Sequence, residues 1–387
     1  MSTQEKLSVL HVATFRENGG GTQSTLRWHH AYDALLGLAP AFLSIFDRRN
    51  TWTGECASLA CHGWMSVGAV GQAFATAAAR WPGSTVIYYD GWGLEWFAAR
   101  DRAGRRLVYL QTERPNMDEL LRRFAPLVDG FLCVSQGLAD RVQRVLPEFP
   151  ADRVCVPPFF VELPAWLQSR SEKKPIGRPI RLGYAGRIEL GHKRLDRLPG
   201  LLESLDHRGV GFTFEVLGEG PYLPKLMRKL AGDPRVTFSG WCKGDAYWQK
   251  LDQWDVLVLV SDYEGFSRVT MDAMCCGVMP VHPNFSAAAG ELLGPAAEHG
   301  LYETGDVGQA AERIAAYAEL PSATIVELRR AFLRHFANHT GAKYGESYAE
   351  FMRMIAAAPR RANSQPGQSW ANLLPLGIYT RLFPNRF

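Results

Sequence analysis

The feature that most constrains the fold of this chain is an alternation of short β-branched runs with longer amphipathic segments, which occurs twice along the sequence. Such alternation predicts parallel sheets with helices packed on both faces. A length of 387 residues suits two such domains, because single domains usually contain roughly 100–200 residues. The sequence therefore predicts an α/β protein with two doubly wound halves and a ligand cleft between them, facing the carboxyl ends of the strands.

The predicted strands form one series in each half of the chain. In the first half they are Ser8–Thr14, Ala41–Phe46, Thr85–Tyr89, Arg106–Leu110, Gly130–Val134 and Val154–Val156. In the second half they are Ile180–Tyr184, Thr213–Leu217, Arg235–Phe238, Val256–Val260 and Met279–His282. Helical patterns separate these runs, as a doubly wound arrangement requires.

Changes in composition give the predicted domain boundaries. Residues 163–179 read LPAWLQSRSEKKPIGRP, a polar and basic stretch with three prolines that is typical of a linker. We therefore predict an N-terminal domain at 1–162 and a C-terminal domain at 180–341. A closing helix is expected at 342–358. The tail at 359–387 contains Arg, Leu, Phe and Tyr residues that would suit a membrane surface, but packing against the body or a free tail is favoured.

Composition excludes several classes of protein. The net charge of +4 is too small for a nucleic-acid binder, which carries a dense basic face. No apolar run approaches the roughly 18–20 residues of a membrane span, and the N-terminus lacks a signal-peptide pattern. The seven cysteines contain no C-x-x-C pair, which favours reduced thiols over a metal site. We therefore expect a cytoplasmic protein with no bound metal.

The segment 261–274 carries the clearest chemical signal. A strand ends before a loop that holds Glu264, and Ser267 can cap the helix that follows. The backbone N–H groups of residues 268–270 would then be free to bind a phosphate at the helix N-terminus. Asp272, on the same helix face as Arg268, would accept hydrogen bonds from ribose hydroxyls, while Glu264 would lie beside a sugar ring. Acceptors on both sides of an anion site are what a nucleotide sugar requires.

This segment resembles the E-x7-E motif of the family-4 retaining glycosyltransferases with the GT-B fold, with Asp272 in place of the second Glu. Further segments that resemble family motifs, spread over residues 8–290, are Gly20–Ser24, Cys133–Gln136, Tyr184–Arg187, Lys193–Arg194, Val216–Pro221, Val236–Gly240 and Gly277–Val281. The resemblance implies two Rossmann-like parallel-sheet domains facing a central cleft, and a C-terminal helix that crosses back to the N-terminal domain. It also implies that the C-terminal domain binds the nucleotide-sugar donor and the N-terminal domain the acceptor.

The same resemblance assigns roles to individual residues. Arg187 and Lys193 would neutralise the departing diphosphate, and Glu264 would orient the donor sugar; these three are the catalytic candidates. The donor-binding candidates are Gly20, Gly21, Trp241, Cys242, Gly265, Phe266, Ser267, Arg268, Val269 and Asp272. The chain contains no D-x-D sequence, the usual carboxylate pair for a divalent cation on the diphosphate. No metal or other cofactor is therefore expected to be required.

Departures from the family pattern concern the acceptor side and the interdomain connection. Gln111 stands where many members carry a His, and residues 158–160 (Pro-Phe-Phe) replace the usual Asn-Gly. These changes predict an unusual acceptor. The acceptor-side candidates are Asp90, Trp92, Gln111 and Glu113. Metal binding by His11 and by the His29-His30 pair is a weaker hypothesis, since isolated histidines of this kind are usually structural.

The resulting functional hypothesis is a retaining glycosyltransferase of the EC 2.4 class. It would transfer a sugar from a nucleotide-diphosphate sugar to a hydroxyl of a glycan, a lipid-linked sugar or a small metabolite, with polysaccharide biosynthesis as the expected setting. Nucleic acid is excluded as a partner, and peripheral membrane contact would involve the tail. The alternative is a non-catalytic GT-B protein that binds a nucleotide sugar or a glycan. A phosphorylase or sugar-nucleotide epimerase is the third hypothesis.

Overall fold

The computed structural model describes residues 6–14, 21–45, 54–168 and 175–361, together with Pro375 and Ile378. The chain divides into two compact units: the first comprises residues 1–158 and 342–387, and the second comprises residues 159–341. The segment predicted as a closing helix therefore belongs to the first unit, as the resemblance implied. Each unit contains one sheet in which every strand pair is parallel.

The first unit is built on a seven-stranded sheet with the order β3-β2-β1-β4-β5-β6-β7. Its strands are β1 (Leu7–Thr14), β2 (Leu38–Ile45), β3 (Cys56–Leu59), β4 (Thr85–Tyr89), β5 (Arg105–Leu110), β6 (Gly130–Cys133) and β7 (Val154–Cys155). Its helices are α1 (Gly21–Tyr32), α2 (Val67–Ala78), α3 (Leu94–Phe97), α4 (Met117–Phe124), α5 (Gln136–Val145) and α15 (Gly341–Ala357). The order is that of a Rossmann-like sheet with one added strand.

Local sequence explains where several of these helices begin. The side chain of Ser66 accepts from the backbone N–H of Ala69 at the start of α2, and Ser135 accepts in the same way from Leu138 at the start of α5. These hydroxyls satisfy N–H groups that a helix leaves without an intrahelical partner. The five residues of β4 are all buried, which is the pattern of a central strand covered on both faces.

A network of buried polar side chains lies within the core of the first unit. Asp33 receives His11 Nε2 at 3.1 Å and His29 Nδ1 at 2.8 Å, one on each carboxylate oxygen. The remaining ring nitrogens contact the Tyr89 hydroxyl at 3.0 Å and the Tyr344 hydroxyl at 2.9 Å. Because Tyr344 belongs to α15, this network connects the returning helix to β1, α1 and β4.

The second unit contains a six-stranded sheet with the order β10-β9-β8-β11-β12-β13. Its strands are β8 (Ile180–Ala185), β9 (Phe212–Leu217), β10 (Val236–Gly240), β11 (Val256–Val258), β12 (Met279–Pro283) and β13 (Leu301–Tyr302). Its helices are α6 (Ala165–Gln168), α7 (Leu198–His207), α8 (Leu223–Lys229), α9 (Gly244–Gln253), α10 (Arg268–Cys275), α11 (Ala287–Leu293), α12 (Ala297–Gly300), α13 (Val307–Glu319) and α14 (Ser322–His335). Two Rossmann-like sheets are therefore confirmed.

The structure differs from the predicted linker in one respect. Leu167 of α6 is buried in the core of the second unit, in one cluster with Trp254 and Leu257, and Leu163 and Trp166 pack against that cluster. The first residues of the predicted linker are thus part of the second unit, because their apolar side chains cover its core. Residues 169–174, the basic part of the predicted linker, lie outside the described residues.

Candidate active site

The carboxyl edge of the second sheet is shaped by two glycine-containing turns, one after β8 and one after β9. Gly218, after β9, has φ +142°, and a Cβ atom there would overlap the carbonyl oxygen of Gly186, after β8. The N–H of Ile188 donates to the Glu219 carbonyl at 2.8 Å, and the N–H of Tyr222 donates to the Ile188 carbonyl at 3.0 Å. Close backbone approach therefore fixes the loop that carries Arg187, and only glycine permits that approach.

Lys193 and Glu264, two predicted catalytic residues, are in direct contact at this edge. Lys193 Nζ lies 2.6 Å from Glu264 Oε1, and both side chains are largely buried. The Ser261 hydroxyl donates to the same oxygen at 2.6 Å. The N–H of Asp262 donates to the carbonyl of His192, in the loop after β8, at 2.8 Å. The loops after β8 and β11 therefore form one site.

The charge of Lys193 keeps Glu264 ionised. Burial alone would raise the pKa of the Glu264 carboxyl group, but the nearby Lys193 ammonium and the hydrogen bond from Ser261 help to lower the pKa below its ordinary value. His192 lies within electrostatic range of both groups; burial and Lys193 together lower its pKa. At neutral pH Glu264 is therefore a carboxylate.

Helix α10 begins directly after the Glu264 loop, with Ser267 at the N-cap position as predicted. The prediction that the Ser267 side chain caps the helix is wrong: its hydroxyl accepts from Thr270 Oγ1 at 3.0 Å and makes no capping hydrogen bond. The prediction of a free Thr270 amide is also wrong, since this N–H donates to the Ser267 carbonyl at 3.1 Å. A phosphate site at this tip would therefore rest on the amides of Arg268 and Val269.

Asp272, one turn into α10, is 3 % exposed. Its Oδ2 accepts from the Tyr247 hydroxyl at 2.9 Å, while its Oδ1 is buried and has no hydrogen-bond partner in the described part of the chain. Burial raises the pKa of Asp272 to about 6, although the charge of Arg268 and the bond from Tyr247 act in the opposite direction. A buried acceptor of this kind is suited to a hydroxyl donor from a ligand.

Arg268, on the same face of α10 as Asp272, packs over two aromatic rings. Its guanidinium carbon lies 5.8 Å from the ring centre of Phe159 and 5.2 Å from that of Phe160. Phe159 and Phe160 occupy the positions where the sequence departs from the usual Asn-Gly. The replacement supplies a cation–π surface that holds Arg268 beside the helix tip.

The other donor-side candidates are placed as follows. Arg187 is partly exposed, with Nη1 3.3 Å from Glu189 Oε2. Phe266 is buried, and its ring stacks on His339 with ring centres 5.9 Å apart. Trp241 has a buried Nε1 without a partner among the described residues, whereas Cys242 packs against the core cluster. Gly265 and Val269 lie in the Glu264 loop and in the first turn of α10.

The acceptor-side candidates belong to the first unit and are engaged in its own hydrogen bonds. Asp90 accepts from the N–H groups of Gln111 and Thr112 at 2.7 and 3.0 Å. The Gln111 amide accepts from Thr22 at 2.6 Å and donates to Thr25 at 3.1 Å. These contacts tie the ends of β4 and β5 to the first turn of α1, so they position this edge of the sheet.

The remaining candidates in the first unit are Glu113, Trp92, Gly20 and Gly21. Glu113 is buried, with Oε1 bound to Arg141 at 2.9 Å and Oε2 unpartnered among the residues described. The Trp92 ring makes an edge-on contact with Trp96, with ring centres 5.5 Å apart. Gly21 is the first residue of α1, and Gly20 lies outside the described residues.

The sequence did not reveal three residues that the structure places at or near the second-unit site. His192 and Tyr263 stack with ring centres 5.2 Å apart, and Tyr247 binds Asp272 from α9. The histidine of the sequence His192-Lys193 was a signal that could have been used, since it adjoins a predicted catalytic lysine. Tyr247 is 25 residues from Asp272 in sequence, so no local pattern indicates their contact.

Two doubly wound parallel sheets of this kind define the GT-B class. A solved lipopolysaccharide outer core galactosyltransferase, WaaB, in its apo form, is 16 % identical with a TM-score of 0.65, covering 90 % of this chain and 99 % of that chain. A pneumococcal O-GlcNAc transferase, GtfA, in complex with UDP and GlcNAc, is 11 % identical with a TM-score of 0.68, covering 92 % and 100 %. These likenesses establish the GT-B fold.

Sequence comparison relates part of the chain to a family of known proteins. Residues 179–319 match the family described as glycosyl transferases group 1. A lipopolysaccharide 1,6-galactosyltransferase of Escherichia coli strain K12 is 25 % identical over 129 residues, which are 32 % of this chain and 35 % of that protein. The sulfoquinovosyl transferase of Arabidopsis thaliana is 31 % identical over 130 residues, which are 32 % and 24 %. The matches thus span about a third or less of these relatives.

Proposed function

We propose that the protein is a retaining glycosyltransferase that moves a sugar from a nucleotide-diphosphate sugar to a hydroxyl acceptor. The observation that carries the proposal is the buried Lys193–Glu264 pair, at 2.6 Å, which joins the loop after β8 to the loop that leads into α10. Asp272, with its unpartnered oxygen, lies one to two turns further along. Glu264, the N-terminus of α10 and Asp272 thus follow one another along one segment, in the order in which the sugar, the diphosphate and the ribose of a nucleotide sugar are joined. Lys193 adds a cation beside Glu264 from the loop after β8.

The proposed reaction breaks the bond between the anomeric carbon and the phosphate oxygen, whose electron pair leaves with the diphosphate. The acceptor oxygen bonds to the anomeric carbon on the same face, and its proton passes to the departing phosphate oxygen. Lys193 and Arg187 offset the negative charge that develops on the diphosphate. Glu264 accepts hydrogen bonds from the sugar and holds it in position, which is the main requirement of ion-pair-like chemistry.

Two further aspects of the proposal concern metal and location. We propose that the cationic side chains and the α10 tip act without a divalent metal. We also propose a reducing, cytoplasmic setting, since none of the seven cysteines, all of which the structure describes, is in a disulfide. No helix in the described part of the chain has the length and apolar character needed to cross a membrane. The acceptor is proposed to be a glycan or glycolipid, as the names of the relatives suggest. Any contact with a membrane surface is proposed to involve the tail, most of which lies outside the described residues.

The alternative function is a non-catalytic nucleotide-sugar binder. It is favoured by two observations: the Tyr247 hydroxyl already binds Asp272, and the Gln111 amide is already bound to Thr22 and Thr25. The two functions are separated by turnover, because a binder raises its melting temperature with ligand but forms no product.

The test is a panel of nucleotide sugars, scored by melting temperature and by product formation with and without EDTA. We expect one donor class to stabilise the protein, a slow hydrolysis or transfer product with the anomeric configuration of the donor, and no loss of rate on chelation. Stabilisation without turnover would establish the binder. A product of inverted configuration, or strict dependence on added metal, would contradict the proposed mechanism.

Replacing Asp272 by Asn should have opposite effects on stability and on nucleotide affinity. The folded-state pKa of about 6 lies about two units above the ordinary value, so ionising this buried group costs up to about 3 kcal/mol at pH 7.5. Because the folded pKa is raised, the stability of the wild type should rise as the pH falls through 6 towards 4. Asp272→Asn should therefore unfold at a higher denaturant concentration at pH 7.5 and show a flatter pH dependence.

Nucleotide affinity should follow the reverse trend, because the carboxylate is the better acceptor for ribose hydroxyls. Wild-type affinity for the nucleoside diphosphate should weaken below pH 6, and Asp272→Asn should bind roughly ten-fold more weakly at pH 7.5. Calorimetric titration measures both. Asp245→Asn, at an exposed position on α9, is the control. Equal affinity of wild type and Asp272→Asn for the nucleoside diphosphate would show that Asp272 does not bind the ribose.

A further inference from the structure

His282 is a buried histidine at the carboxyl end of β12 that has one unused nitrogen. The residue is only 1 % exposed. Nδ1 lies 2.9 Å from the carbonyl oxygen of Pro283. A carbonyl oxygen only accepts, so Nδ1 carries the hydrogen. Nε2 is buried and has no hydrogen-bond partner in the described ranges of the chain.

The ring is therefore a hydrogen-bond acceptor without a donor. Burial lowers the pKa of His282 to about 4, which keeps the imidazole neutral at physiological pH. In the neutral tautomer with hydrogen on Nδ1, Nε2 presents a lone pair. A buried acceptor that lacks a donor is unfavourable unless a ligand or water supplies one. The donor that this nitrogen requires is an N–H or O–H group.

The position of His282 indicates what supplies that group. Strand β12 lies next to β11, and the chain after β11 continues through Ser261 to Glu264. The N–H of Leu259 donates to the Val281 carbonyl at 3.0 Å, which keeps the two strand ends in register. The charges of Glu264 and Lys193 both act on the His282 ring, so the ring lies within electrostatic range of the pair that is proposed to handle the donor sugar.

We propose that His282 Nε2 accepts a hydrogen bond from one ring hydroxyl of the transferred sugar and so helps to determine which donor sugar the enzyme accepts. The inference rests on the proposed function and adds a specificity-determining residue to it. Glu264 and His282 then accept from two hydroxyls of the same sugar. A site built to bind a hydroxyl discriminates strongly against the analogue that lacks it, because its buried acceptor is then left without a partner.

The experiment uses the donor identified in the panel and its monodeoxy analogues, one for each ring hydroxyl. Wild type, His282→Leu and His282→Gln are compared by kcat/KM for each donor and by affinity for the nucleoside diphosphate alone. The matched control is His335→Leu, which removes an imidazole that binds the Glu291 carbonyl at 3.0 Å in the same unit. Melting curves establish that each variant is folded.

We expect wild type to lose roughly 10- to 100-fold in kcat/KM with one deoxy donor. With the full donor, kcat/KM of His282→Leu should fall by a similar factor. With that same deoxy donor, its kcat/KM should fall no further. Its affinity for the nucleoside diphosphate should stay within about two-fold of wild type. His282→Gln, which keeps an acceptor oxygen on a side chain of similar reach, should recover part of the discrimination, and His335→Leu should keep all of it.

The inference is overturned if His282→Leu slows the full donor and every deoxy donor by one common factor, or leaves kcat/KM unchanged. If His282→Leu does not fold, His282→Gln decides by the same comparison, and a discrimination profile identical to wild type overturns the inference. These outcomes require an active wild type. A wild type that neither binds a nucleoside diphosphate nor turns over any donor contradicts the proposed function itself, and the inference with it.

Discussion

Lys193→Ala is expected to slow sugar transfer by roughly 10²–10³-fold, the scale observed when one preorganised charge-stabilising group is removed. Lys193 Nζ lies 2.6 Å from Glu264 in a largely buried position. In this low-dielectric setting its charge acts more strongly on a developing diphosphate than it would in water. The variant also leaves Glu264 without its counter-ion, so the pKa of that carboxyl group should rise. Single-turnover rates at saturating donor measure the effect on the chemical step.

A matched control separates catalysis from the loss of an ion pair. Lys250→Ala removes a lysine whose Nζ also lies 2.6 Å from a carboxylate, that of Glu215. Lys250 projects from α9 and has no role in the proposed reaction. We expect this control to lower stability slightly and to leave the rate within about two-fold. A similar loss of rate in both variants, or an unchanged rate in Lys193→Ala, would refute the role given to Lys193.

The double variant Lys193→Ala with Glu264→Ala provides a further check. If Lys193 acts only by neutralising Glu264, removing Lys193 from the Glu264→Ala variant should cost little further rate. If Lys193 acts on the diphosphate, as proposed, the double variant should be clearly slower than Glu264→Ala alone. Interaction energies between groups in contact are read from such cycles.

The central strands could be predicted from the sequence because each buried parallel strand is a short apolar run between helical patterns. β4, at Thr85–Tyr89, was predicted at its exact bounds, and all five of its residues are buried. Two edge strands, Cys56–Leu59 and Leu301–Tyr302, were missed. Edge strands are short and only partly buried, so their sequences lack the continuous apolar signal that central strands show.

The candidate site likewise has features that the sequence could predict and features that it could not. The Glu264 loop and the start of α10 are local in sequence, so a strand–loop–helix pattern was enough to predict them. The predicted capping hydrogen bond of Ser267 was wrong, because its hydroxyl instead accepts from the Thr270 hydroxyl. The partner of Asp272 and the unused nitrogen of His282 depend on tertiary packing between elements that are distant in sequence. No spacing rule gives such contacts.

Asp33→Ala is expected to destabilise the first unit by about 3–5 kcal/mol, the cost of removing one partner from a buried charged network. Asp33 is fully buried, and its two oxygens accept from His11 and His29. The charges and hydrogen bonds of these histidines outweigh burial and lower the pKa of Asp33 to about 2, so the group is a carboxylate at neutral pH. Without it, two imidazole N–H groups remain buried without an acceptor.

Urea unfolding at pH 7.5, followed by tryptophan fluorescence, measures this loss. Asp33→Asn keeps one carbonyl oxygen as an acceptor for one imidazole, so it should lose less stability than Asp33→Ala. Asp152→Ala is the surface control: this side chain is exposed, and substitutions at such positions usually change stability by less than about 0.5 kcal/mol. Equal midpoints for Asp33→Ala and Asp152→Ala would show that the network contributes nothing to stability.

The same network predicts where the loss of structure should begin. His29 Nε2 contacts the Tyr344 hydroxyl at 2.9 Å, and the Tyr344 ring packs edge-on against Trp28, with ring centres 4.8 Å apart. Once Asp33 no longer fixes the tautomer of His29, this contact to α15 weakens. Helix α15 follows the second unit in sequence but belongs to the first unit. Hydrogen exchange in Asp33→Ala should therefore accelerate in α15 before it accelerates in β4. Uniform acceleration across the first unit would mean that Asp33 supports the sheet core directly and not the returning helix.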